Sequence, residues 1–71
     1  MEILECARKH GASDADIHHA IDNAIRYHDL DDGLVMIVGP TRAGVLIEVG
    51  IVSLHLEPTI VHCMLVRPKF L

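Results

Sequence analysis

A chain of 71 residues with a net charge of −4 is too short to build two hydrophobic cores and carries the wrong sign for a general polyanion binder. Its hydrophobic fraction of 51% and mean hydropathy of +0.36 leave more apolar surface than so small a globule hides easily, so a homo- or hetero-oligomer is expected. No apolar run reaches the roughly 18 to 20 residues of a membrane helix, the charged start MEILECARKH is unlike a secretory signal, and two cysteines make no disulfide framework, so a cytoplasmic setting without membrane contact is expected.

Met1 to His10 sets Ile3, Leu4 and Ala7 at helical spacing, ends in Arg8, Lys9 and His10, and is followed by Gly11. Cations before a glycine suit a helix C-terminus, and this segment is predicted as a short amphipathic helix. Ser13 offers an N-cap for a second helix, with Asp14 and Asp16 at the positive end of its dipole. The apolar positions Ile17, Ala20, Ile21, Ala24 and Ile25 then form one stripe, which predicts a helix running to about Tyr27.

Asp29 to Gly33 reads as a turn, and the β-prone run Leu34 to Val38 as the first strand. Gly39 to Gly44 is a hairpin loop. Although its outline resembles a phosphate loop, the lysine and hydroxyl residue that would follow are missing. The second strand, Val45 to Val52, puts Val45, Ile47, Val49 and Ile51 on one face and Leu46, Glu48 and Gly50 on the other. The third, Ile60 to Val66, alternates Val61, Cys63 and Leu65 with Ile60, His62 and Met64, and Pro68 ends it. With no repeat and no linker, residues 1–71 are expected to form a single α+β domain of order ααβββ: two N-terminal helices packed on a three-stranded antiparallel sheet in two layers.

Charge is unevenly spread: residues 1–36 hold eight acidic and three basic side chains, residues 37–71 two acidic and three basic. A nucleic acid is repelled by the helical half and must approach the sheet and the C-terminal tail, whereas a basic protein suits the helices. Glu48 and His62 are each the polar residue on an otherwise apolar strand. If their strands are neighbours, both lie on the face away from the helices, one direct or diagonal step apart. A carboxylate beside an imidazole makes an acid-base couple able to take a proton from an RNA 2′-hydroxyl. Arg67 and Lys69 add cations at the edge of the same sheet, placed to hold a phosphate, and Phe70 offers a ring for base stacking. The bland alternatives are a solvated Glu48, a hydrogen-bonded His62, ordinary terminal cations and a core Phe70. Lys9 and His10 form a further cationic cluster whose helix-capping role needs no function. The six histidines show no metal-ligand spacing, and no metal or other cofactor is expected.

Taken together, the Lys9-His10-Gly11 start, the LVMIVG and VLIEV strands and the closing IVHCMLVRPK resemble small BrnT-like toxins of the RelE superfamily, and short chains ending in H-x-M-x-x-R-P-K. The resemblance covers nearly the whole chain. It implies the toxin component of a type II toxin-antitoxin system, a metal-independent endoribonuclease acting on mRNA and held inactive by a small cognate antitoxin. Glu48, His62, Arg67 and Lys69 would then be catalytic, with Lys9, His10, Arg42 and Phe70 contacting RNA. A chain this acidic also suits a second reading, a non-catalytic interaction module, antitoxin-like or scaffolding, that binds a basic protein through its acidic helices.

Overall fold

The structure is a computed structural model describing residues 1–71. In chain order it has β1 (Glu2–Ile3), a 3₁₀ turn (Glu5–Ala7), α1 (Asp14–Asp22), β2 (Arg26–Asp29), a second 3₁₀ turn (Asp31–Gly33), β3 (Val35–Pro40), β4 (Leu46–Val52), β5 (Thr59–Leu65) and a third 3₁₀ turn (Pro68–Phe70). One helix thus packs on a five-stranded mixed sheet of order β1-β5-β4-β3-β2. This overturns the expected two helices on a three-stranded antiparallel sheet.

Two segments account for the difference, and in each a strand pairing wins over a short helix. An isolated ten-residue helix cannot repay its nucleation cost in water. The Glu2 and Leu4 N–H groups instead donate to Pro58 and Ile60 carbonyls at 3.1 and 3.0 Å, setting β1 parallel to the start of β5. Ala7 drops into the core, and Arg8 bridges Glu5 and Asp14 at 2.7 and 2.9 Å rather than ending a helix. α1 begins as expected, with Ser13 Oγ accepting from Asp16 N–H at 3.1 Å, but stops five residues before Tyr27. The Asn23 N–H and side-chain Nδ2 both donate to the His19 carbonyl, at 3.1 and 2.9 Å, closing the last turn. Ala24 and Ile25, expected in the buried stripe, are exposed, and Arg26–Asp29 pairs antiparallel with β3 as an edge strand.

β3, β4 and β5 form the antiparallel centre, where side-chain alternation splits the apolar residues between two faces. On one face Val35, Ile37, Ile47, Val49, Ile51, Ile60 and Cys63 meet Ala7, Ile17 and Ala20 in the main core. α1 lies over β3 and β4, so closely that a Cβ on Gly39 would sit 2.0 Å from the Ala20 carbonyl oxygen. Strict alternation along the last strand fails at Val61. The register passes from Gly50↔His62 to Ile51↔Ile60, and this one-residue bulge turns both Ile60 and Cys63 inward. Leu65, expected to share the face of Cys63, is exposed.

The other face is covered by the chain's own C-terminus. Phe70 packs on Met36 and Val38, with Leu30, Leu46 and Val66 around them, and its carbonyl accepts from His28 Nε2 at 2.8 Å. Residues 67–71 therefore run as a strap across β4 and β3 toward β2. No helix is long and apolar enough to cross a membrane.

Candidate active site

Glu48 lies on the strap side of β4, opposite Met64, and its side chain is wholly shielded from solvent. A carboxylate in that position needs a full set of donors to stay ionised, and it has one. Arg67 N–H donates to Oε1 at 2.8 Å, its Nη2 to Oε2 at 2.6 Å, and its Nε spans both oxygens at 3.1 Å. His62 Nε2 completes the set at 2.9 Å from Oε2. Burial pushes the Glu48 carboxyl up, but the Arg67 guanidinium and backbone N–H, with His62, outweigh it and bring the group down to about 2. The same carboxylate holds Arg67 above its ordinary value.

His62 reaches Glu48 on the diagonal, because its direct partner across the ladder is Gly50. Glycine leaves room there: a Cβ would be crowded, 3.0 Å from His62 Cβ and 3.5 Å from Leu34 Cδ1. An ionised carboxylate only accepts hydrogen bonds, so His62 Nε2 carries a proton, and in the neutral ring Nδ1 carries the lone pair. Nδ1 makes no bond to the protein, and the side chain is 29% exposed. The arrangement is a carboxylate-oriented imidazole with its basic nitrogen accessible from solvent.

The structure brings Glu48, His62 and Arg67 into one network and places Lys69 beside it. Lys69 Nζ and Arg67 Cζ sit over the Phe70 ring, 5.2 and 5.3 Å from its centre. Phe70 is only 7% exposed and has His28 against it at 5.4 Å, so it is a core residue and offers no ring to a base. Arg42 lies at the β3–β4 turn, where its N–H and Nε donate to Asp16 Oδ1 at 3.0 and 2.8 Å. Arg42 holds the Asp16 carboxyl below its usual range and clips that turn to the start of α1. Lys9 and His10 are exposed on the turn before α1, and neither bonds to the Glu48 cluster.

Three contributors escaped the sequence: Gly50, which makes room for His62; the Arg67 main-chain donor; and His28, which anchors the strap. Only Gly50 left a signal, as a glycine inside a strand pattern. Cys63 pairs with Val49 across the ladder and projects into the main core, where burial and then the Glu48 charge push its thiol up to about 11. It is no nucleophile. No protein-family model, curated protein or solved structure matches the chain.

Proposed function

We propose that the protein is a metal-independent endoribonuclease acting on mRNA in the cytoplasm, the toxin half of a type II toxin-antitoxin pair of BrnT-like character. The observation that carries this reading is the Glu48–His62–Arg67 network on the sheet face away from the helix. His62 Nδ1 takes the proton from a ribose 2′-hydroxyl, whose oxygen attacks the adjacent phosphorus and displaces the 5′-oxygen. The imidazolium then returns a proton to that leaving oxygen. Glu48 moves no proton itself, since it stays ionised at neutral pH and instead fixes the ring through Nε2. Arg67 is committed to Glu48 and positions it. The free Nη1 of Arg67 and the Lys69 ammonium face the phosphate.

A second reading draws on the saturation of Glu48: every contact it makes with Arg67 ties the strap to the sheet, which a non-catalytic interaction module with acidic flanks would equally need. Expression of the chain alone separates the two. The nuclease arrests growth and cleaves purified mRNA without added metal. His62→Ala and Lys69→Ala abolish both effects while circular dichroism shows the fold intact. Harmless wild-type protein that leaves mRNA whole establishes the module.

A further inference from the structure

We propose that the free edge of β2, with the groove beside it, docks an extended segment of a partner protein carrying an apolar side chain two residues from a lysine or arginine. The site lies on the α1 side of the sheet, on the opposite face from His62, and the proposal stands independently of RNA cleavage there.

The backbone of β2 supplies half of the argument. The Leu30 N–H donates to the Leu34 carbonyl at 2.8 Å, so the alternation of an antiparallel ladder commits His28 and Arg26 to β3. The N–H and C=O groups of Tyr27 and Asp29 consequently point away from the sheet, a ready template for one more strand. The edge has no proline or lysine, and α1 lies over β3 and β4 and leaves it uncovered.

Side chains on the α1 face of β2 supply the other half. Tyr27, opposite the core-facing Ile37, is 58% exposed. It borders a groove of about 480 Å³ that runs between the Asp31–Gly33 turn and the β4–β5 loop, lined by Val35, Val52, Leu54 and Leu56 with Asp29 and Asp32 at its rim. Leu56 is 91% exposed, and the lining holds no lysine or arginine. An added strand thus meets apolar surface at Tyr27 and the groove beside it and two carboxylates one step along, which sets the apolar-x-cation order of its partner face.

Charge argues against a second copy as the occupant. Antiparallel pairing of two β2 edges about Tyr27 or His28 sets Asp29 of one copy opposite Ile25 or Tyr27 of the other. The strand's own cation, Arg26, lies on the other face.

The test uses the full chain, isotopically labelled, titrated with the peptide TVTLTKTK and with TVTLTETE while backbone amide shifts are followed. The expected result is that the lysine peptide perturbs 25–29 and 52–56, and that the glutamate peptide binds about tenfold more weakly. Tyr27→Pro, which deletes an outward donor and leaves the β3 pairing whole, weakens binding by about tenfold, and Asp29→Lys does the same without relying on the backbone. Equal binding of the two peptides, no binding of either, shifts centred on β5, or indifference to Asp29→Lys overturns the proposal. So does a sedimenting dimer that Tyr27→Pro dissolves, which makes a second copy the occupant.

Discussion

Glu48 is the residue on which the strap side of the molecule turns, because a shielded carboxylate with five polar contacts is stable only while it is charged. Its pKa is depressed from the ordinary 4.5 to about 2, so the stabilisation it provides is complete above about pH 4.5 and fades as the pH falls through 2. Glu48→Gln keeps the shape but gives up the charge and one acceptor. It should cost about 3 kcal/mol at pH 7, and this difference should shrink steadily between pH 4.5 and 2 in urea titrations of both proteins. A constant difference across that range means that packing, not charge, holds the site. Both Glu48 and His62 were legible in the sequence as polar interruptions of apolar strands. The commitment of Arg67 was not, since its decisive donor is a backbone N–H brought in by a tail that has no periodicity. The same lack left Phe70 open between a stacking ring and a core residue, because its burial depends on the strap folding back over Met36 and Val38.

At the level of elements, the three central strands stand close to where alternation places them, and α1 starts at its predicted cap. The remainder was decided by pairing that no local pattern encodes. A two-residue β1 has no period to detect, and Ala24 and Ile25 extend the helical stripe on paper until β3 is available for Arg26–Asp29 to pair with. The helix boundary is therefore a balance between Asn23 closing the turn and β2 docking, and its N-terminal end is the more local feature. Ser13→Ala removes a single capping bond and should cost about 1 kcal/mol. Gly39→Ala acts instead through the close approach of α1 to β3. A methyl group 2.0 Å from the Ala20 carbonyl oxygen cannot be absorbed by a rotamer change, so the helix must lift. The expected loss is about 3 kcal/mol, the upper part of the range for overpacking. Thermal melts of the two variants side by side check the order: a Gly39→Ala protein as stable as Ser13→Ala would show that α1 is free to shift.

The whole molecule is electrically polarised, and this bears on the RNA binding that the proposed nuclease activity requires of an acidic protein. Asp29, Asp31 and Asp32 cluster by the β2 edge, whereas Arg67, Lys69 and His62 share the strap side. An RNA strand is attracted only along the second surface, where few cations are free: Arg67 is largely spent on Glu48. Each phosphate neutralised on single-stranded nucleic acid contributes a slope of about −0.7 to log K against log salt. With Lys69 and part of Arg67 engaged, the slope should lie between about −0.7 and −1.4, shallow for a nucleic-acid binder. Titration of a non-cleaved RNA analogue from low to moderate salt measures it, and Lys69→Ala should reduce its magnitude by about 0.7. A much steeper slope would mean that RNA also recruits Lys9, His10 and Arg42 from around the start of α1, so that the substrate wraps both faces. Affinity from so few ionic contacts would be weak, and under the proposed activity discrimination among RNAs would have to come from the geometry at His62, where a 2′-hydroxyl must reach the one imidazole nitrogen that Glu48 leaves free.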